Sequence, residues 1–134
     1  MPHLVVLYTE NLDAEADMSA LCRSLADAML AVRDECDEQV FPTGGVRVLA
    51  YPAAHFAVAD GQRDYAFVYL NLRMGRGRSD TVIRRAGEAV LAAAKAHFAP
   101  VFAQRYIGLT LQIDVGQEVF DAKHSNIHPL FKKS

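Results

Sequence analysis

The residue with the clearest chemical potential in this chain is Pro2, which directly precedes an apolar run from His3 to Tyr8. Removal of Met1 would make the nitrogen of Pro2 a free secondary amine, and a free α-amino group titrates at about pH 7.7 to 8.0 in an open chain. Partial burial or a neighbouring cation would lower the pKa of that amine further. One interpretation of Pro2 is therefore a base at the amino terminus. The alternative is that Pro2 merely begins a strand, where a missing N–H costs little.

Two arginines suggest a second kind of chemistry. Arg47 comes two residues after the pair Gly44-Gly45, and Arg78 belongs to the segment Gly75–Ser79, which reads GRGRS. A guanidinium group binds a carboxylate through paired hydrogen bonds, and each charge-assisted contact is worth about 1.5 to 3 kcal/mol. Backbone N–H groups at the start of a helix would also favour an anion. These residues predict an acidic substrate, although an isolated arginine is more often a solvated surface residue.

The hydrophobic pattern predicts the elements that position these residues. The expected order is a strand over 3–9, a helix within 13–35, an extended segment over 46–58, a strand over 65–72, a helix from the N-cap Ser79 to Pro100, and a strand over 106–114. Pro52 interrupts the extended segment, which suits an edge strand or a bulge. Pro100 is expected to end the second helix.

This order is a β-α-β unit used twice, and each crossover is long enough to require parallel pairing. A short turn at Asp60-Gly61 joins the units, so the second is expected to run antiparallel to the first. The predicted fold is α+β, a four-stranded mixed sheet with both helices on one face. Because the other face would be bare and is not conspicuously polar, we expect an oligomer.

A chain of 134 residues is expected to form a single domain over 1–134, with half-units of about 2–58 and 64–114 and a tail over 115–134. In this topology the first strand and its parallel neighbour begin at the same edge of the sheet, where the third strand ends. Pro2, Arg47 and Arg78 should therefore converge, either within one subunit or across a contact between subunits.

Composition argues against several classes of function. The net charge is -2 and 51% of residues are apolar, without a basic block, so neither nucleic acid nor a membrane surface is an expected partner. A signal peptide and an apolar run long enough to span a bilayer are both lacking, which predicts a cytoplasmic protein. Cys22 and Cys36 are expected to be reduced thiols rather than a disulfide or metal ligands.

The five histidines do not have the spacing of a metal site. His97 lies on the apolar face of the second predicted helix and is expected in the core or at an interface. His124 and His128 belong to the tail. His3 follows the candidate base directly, so it either lines the site or faces away from it by strand alternation.

Several segments together resemble the 5-carboxymethyl-2-hydroxymuconate isomerase family of the tautomerase superfamily. The resemblance spans nearly the whole chain and is most specific in ADGQRDYAFV, residues 59–68. The other matching stretches are Met1–His3, Phe41-Pro42, Gly45–Arg47, Gly75–Ser79, Ala96–Phe98 and Asn126–Lys132.

The resemblance implies a homotrimer of duplicated β-α-β subunits that uses no cofactor and acts in bacterial degradation of homoprotocatechuate. It implies that Pro2 is the catalytic base after loss of Met1, and that Arg47 and Arg78 bind the substrate. Arg76 departs from the family pattern, in which the residue between the two glycines is usually small. It either adds a carboxylate contact or points to solvent.

The implied reaction is a keto–enol tautomerisation of a conjugated 2-hydroxydienoate, with the prolyl nitrogen moving the proton and the arginines holding carboxylates. Two alternatives stay open: a tautomerase of a different 2-hydroxydienoate, and a non-enzymatic trimeric module that binds such an acid. A protein that retained Met1 should be inactive, since its Pro2 nitrogen would be an amide.

Overall fold

The computed structural model describes residues 2–131, which form a mixed four-stranded sheet and two α-helices. The strands and helices in chain order are β1 (His3–Thr9), α1 (Met18–Leu30), β2 (Arg47–Ala53), β3 (Ala66–Met74), α2 (Asp80–Phe102) and β4 (Ile107–Val115). The spatial order of the strands is β2-β1-β3-β4. β1 is parallel to β2, β3 is parallel to β4, and β1 is antiparallel to β3, which confirms the predicted fold class.

The core lies between one face of the sheet and the two helices. Strand residues alternate between the two faces, and helix residues three or four apart share a side, so each element contributes one apolar face. The largest fully buried side chains of this core are Leu4, Val6, Leu12, Leu21, Leu25, Met29, Phe41, Val68, Leu70, Leu72, Val90 and Phe98. Both helices cover the same face of the sheet, as predicted.

Two predicted boundaries are wrong. β2 ends at Ala53 rather than Val58, because its partner β1 ends at Thr9, which is paired with Ala53. α2 continues past Pro100 to Phe102. Proline removes a single backbone donor, whereas Ala103 N–H still reaches Ala99 O at 3.2 Å and the buried Val101 extends the apolar stripe of the helix.

The second face of the sheet is open, and we call it the open face. Near β1 and β2 it is apolar: Leu7, Leu49 and Tyr51 are each nearly half exposed. Near β4 it is polar, and Asn71 Nδ2 donates to Asp114 Oδ2 at 2.8 Å. Neither α1 nor α2 is long and apolar enough to cross a membrane.

Candidate active site

Strand register brings three cationic or titratable residues together at one corner of the open face. His3, the first residue of β1, is paired with Arg47, the first residue of β2. On its other side His3 is paired with Arg73 of β3. Pro2 lies immediately before β1 and is buried. The start of β1, the start of β2 and the end of β3 therefore meet at one edge of the sheet, as expected from connectivity.

The segment Gly75–Ser79, here called the site loop, positions Arg78. Gly77 has φ of 107°, a conformation that a side chain would strain, so this reversal requires glycine. Ser79 then caps α2 by accepting a hydrogen bond from Val82 N at 3.2 Å. The sharp turn and the cap hold Arg78 between the end of β3 and the start of α2.

The Arg78 side chain is held on two sides. Its Nη1 donates to Gly75 O at 3.2 Å, and its guanidinium carbon lies 5.0 Å from the ring centroid of Phe41, which is fully buried. Such stacking over an aromatic face attracts a cation. Burial lowers the pKa of Arg78 from its ordinary value. Arg78 is thus a half-buried cation with a restricted orientation.

Two cavities adjoin the site loop. The first, which we call the corner cavity, has a volume of 150 Å³. It is lined by His3, Arg47, Arg73, Met74, Gly75, Glu118, Asp121, Ala122 and Lys123. The second, the loop cavity, has a volume of 400 Å³. It is lined by Pro42, Arg78, Lys123, Ser125, His128 and Pro129. Because Lys123 lines both cavities, they are neighbours.

The corner cavity is electropositive on its sheet side. The pKa of His3 is lowered from its ordinary value, first by burial and then by the charges of Arg47 and Arg73. That shift favours the neutral imidazole, so the two arginines carry the positive charge there. On the opposite wall, Glu118 Oε1 lies 3.6 Å from Arg73 Nη2. Such a site suits an anionic group that can contact guanidinium donors.

The tail that supplies the outer wall of both cavities packs against the loop before β2. Its short 3-10 helix, His128–Phe131, lies over the 3-10 turn Thr43–Gly45. A Cβ atom on Gly44 would lie 2.5 Å from His128 Cα, which is closer than real contacts allow. Glycine at this position is therefore what lets the tail approach.

Gly44→Ala is expected to displace the tail, since relief of such overpacking requires backbone movement. Amide hydrogen exchange should rise about tenfold at Ile127, His128 and Leu130, whose N–H groups are hydrogen-bonded within the tail. Gly87→Ala in α2 is the matched control, because its Cβ would meet only the end of the Ile113 side chain, at 3.1 Å. Exchange by mass spectrometry checks both variants. Unchanged tail exchange in Gly44→Ala would contradict the docked position.

The predicted site residues are distributed as follows. Arg47 lines the corner cavity and Arg78 lines the loop cavity. Pro2 lines neither of these two cavities, although the adjacent His3 lines the first. Arg76 is exposed and belongs to neither lining. The predicted loss of Met1 falls outside the described residues.

Comparison with known proteins places the chain in a family. Residues 2–131 match the family model described as 5-carboxymethyl-2-hydroxymuconate isomerase. An Escherichia coli 5-carboxymethyl-2-hydroxymuconate Delta-isomerase is 33% identical over 132 residues, covering 98% of this chain and 100% of the relative. The chain belongs to the 5-carboxymethyl-2-hydroxymuconate isomerase family. The predictions of an isomerase and of its tautomerase-like fold are thereby confirmed.

Two solved structures carry the same family name. The crystal structure of a 5-carboxymethyl-2-hydroxymuconate delta-isomerase superposes with a TM-score of 0.96 at 62% identity, covering 100% of this chain and 95% of the other. A 5-carboxymethyl-2-hydroxymuconate isomerase from Deinococcus radiodurans R1 superposes with a TM-score of 0.88 at 38% identity, covering 98% and 95% of the two chains. The similarity to this isomerase family therefore extends over the complete fold.

Sequence reasoning missed Arg73 and the tail as parts of this site in a 5-carboxymethyl-2-hydroxymuconate isomerase. Arg73 could have been placed in part from the sequence. It lies two and four residues after Asn71 and Tyr69, so it shares their face of the strand, which points away from the core. Its position beside His3 depends on register, which the pattern alone did not provide. The hydrophobic pattern of the tail gave no comparable signal, since its apolar residues are few and irregularly spaced. The only indication was the resemblance of Asn126–Lys132 to the family, which did not place the tail at the site.

Proposed function

We propose that this protein converts 5-carboxymethyl-2-hydroxymuconate to its 2-oxo-3-ene isomer, as a step in homoprotocatechuate degradation. One observation carries the proposal beyond family membership: the start of β1, Arg47 and the site loop share one edge of the sheet. A base at the amino terminus and two carboxylate-binding arginines would then face the same substrate. This combination fits proton transfer within a conjugated polycarboxylate.

In the proposed mechanism the nitrogen of Pro2, after loss of Met1, acts first as base and then as acid. The neutral amine removes the proton of the 2-hydroxyl group, so the O–H bond breaks and a dienolate forms. The prolinium then gives that proton to C5, where a C–H bond forms. The double bonds move from C2=C3 and C4=C5 to C2=O and C3=C4. One proton leaves oxygen and one reaches carbon, so the reaction is balanced without another reactant.

Arg47 and Arg78 are proposed to hold substrate carboxylates and to stabilise the dienolate. Arg78 suits this role because the stack on Phe41 and the contact with Gly75 O already restrict its guanidinium group. A donor that needs no reorganisation stabilises developing charge most effectively. The remaining acceleration would come from holding the hydroxyl group and C5 within reach of one nitrogen.

We propose a homotrimer in the cytoplasm. The exposed side chains Leu7, Leu49 and Tyr51 on the open face support association between copies of the chain, because apolar groups grouped on a sheet face favour burial. In a trimer, the arginines facing one Pro2 could come from two subunits. Analytical ultracentrifugation tests the assembly: sedimentation as a monomer at micromolar concentration would contradict it.

The activity is tested by following ketonisation by absorbance with 5-carboxymethyl-2-hydroxymuconate and, in parallel, 2-hydroxymuconate. The protein must first be shown by mass spectrometry to begin at Pro2. We expect a higher kcat/KM for the carboxymethyl compound. Equal or absent activity on that compound would contradict the proposed substrate. Binding without turnover would favour the alternative of a non-enzymatic binding module.

A further inference from the structure

Arg73 is a cationic group for which the proposed mechanism has no use. It lies one strand away from His3 on one side, as Arg47 does on the other. Adjacent strands are about 4.8 Å apart, which separates the two arginine Cα atoms by roughly 10 Å across the sheet. Both side chains line the corner cavity. An anion in that cavity would therefore meet two guanidinium groups flanking one imidazole.

The acidic groups on the opposite wall leave that positive charge only weakly compensated. Asp121 is paired with Lys123, so those two charges offset each other. Glu118 is 3.6 Å from Arg73, longer than the roughly 2.7 to 2.9 Å of a strong charge-assisted hydrogen bond. Both side chains are 40% or more exposed, and ion pairs of this kind contribute little. A substrate carboxylate could replace Glu118 at small cost.

The size of the corner cavity indicates what it would hold. At 150 Å³ it is smaller than the roughly 300 to 1,000 Å³ of pockets that enclose a whole ligand, so it suits a single substituent. The proposed substrate has three carboxylates, two on the muconate chain and one on the carboxymethyl arm. The proposed function assigns two of them to Arg47 and Arg78. Arg47 also lines the corner cavity, so its guanidinium group, with five N–H donors, would lie between a muconate carboxylate and the arm. Arg73 supplies a guanidinium group for the third.

We propose that the corner cavity binds the carboxymethyl arm of the substrate and that Arg73 recognises its carboxylate, an inference that rests on the proposed function. The arm is attached to C5, the carbon that receives the proton. An arm held beside His3 brings C5 towards the neighbouring Pro2. Arg73 is thus a specificity-determining residue that also positions the reacting carbon.

The test compares Arg73→Gln with the wild type on 5-carboxymethyl-2-hydroxymuconate and on 2-hydroxymuconate, which lacks the arm. We expect kcat/KM to fall about tenfold for the carboxymethyl compound, the effect of losing one charge-assisted contact. The value for 2-hydroxymuconate should stay within about twofold of wild type. Arg76→Gln is the matched control, since it removes the same charge from an exposed position outside the cavity. It should leave kcat/KM unchanged for both substrates.

The outcomes separate this inference from the proposed function. Wild-type protein that turns over neither compound would overturn the proposed function and this inference with it. If the wild type is active and Arg73→Gln lowers kcat/KM equally for both substrates, or for neither, only the role of Arg73 is overturned. Arg76→Gln reproducing the selective loss would show a long-range charge effect and overturn it as well.

Glu118→Gln provides a second measurement that does not depend on the stability of the Arg73 variant. Glu118 is exposed and lies in the tail after β4, so its substitution should leave the fold intact. Removing its charge frees Arg73 for substrate and should lower KM for the carboxymethyl compound about threefold, with no change for 2-hydroxymuconate. An unchanged or higher KM for the carboxymethyl compound would contradict the assignment.

Discussion

Protein that keeps Met1 is expected to have a kcat/KM for 5-carboxymethyl-2-hydroxymuconate about 10²–10⁴-fold below that of protein beginning at Pro2. The reason is chemical: acylation turns the prolyl nitrogen into an amide, which has no basicity. The proposed mechanism has no second group to remove the 2-hydroxyl proton. Its loss should therefore remove the contribution of general acid–base catalysis.

Two preparations of the same sequence test this, one naturally processed and one with an amino-terminal extension that resists removal. Mass spectrometry assigns each terminus, and the absorbance assay gives the rates. A cleavable version of the extension is the control, because exposing Pro2 with a protease should restore activity. Comparable rates for blocked and unblocked protein would eliminate Pro2 as the base.

Pro2→Ala separates loss of the base from obstruction of the site. It retains a free amine at the same position but replaces a secondary amine with a primary one, so we expect activity between those of the blocked and native proteins. Substrate affinity should change little. Substrate binding by the blocked protein is measured as well. If the extension abolishes binding, while Pro2→Ala binds and turns over substrate, the extension acts by blocking access to the site.

Arg78→Gln is expected to lower kcat/KM about 10²–10³-fold on both substrates, the range found when a preorganised donor to a developing oxyanion is removed. The effect should be large because Arg78 is half-buried and oriented by Phe41 and Gly75 O before substrate arrives. Arg78→Lys should recover only a small part, since an ammonium group lacks the planar fork of guanidinium.

Steady-state kinetics with both substrates, together with thermal unfolding of each variant, checks this expectation. Arg76→Gln is again the appropriate control, since it alters the same loop at an exposed position. A loss confined to the carboxymethyl compound would assign Arg78 to the arm instead of the shared 2-hydroxydienoate. If Arg78→Gln unfolds at a temperature far below that of the wild type, its loss of activity comes from lost packing on Phe41 rather than from a lost substrate contact.

The elements of this fold were predictable because their patterns are local. Strand alternation and the three-to-four residue repeat of helices predicted both β-α-β units, and Ser79 was predicted as the N-cap of α2. The two wrong boundaries share one cause. β2 stops where β1 offers no further partner, and α2 continues because Val101 packs in the core. Both ends are therefore set by contacts with other parts of the molecule and not by the sequence of β2 or α2 alone.

The chain by itself determined the repeated β-α-β order and the residue types available for chemistry, because these depend on composition and short-range spacing. The family followed from the resemblance of whole segments, such as residues 59–68, to known members. Tertiary structure alone decided that Arg73 stands beside His3, and that the tail forms the outer wall of both cavities. Those contacts join residues far apart in the chain. They arise from strand register and from the close approach at Gly44, which only the packed molecule specifies.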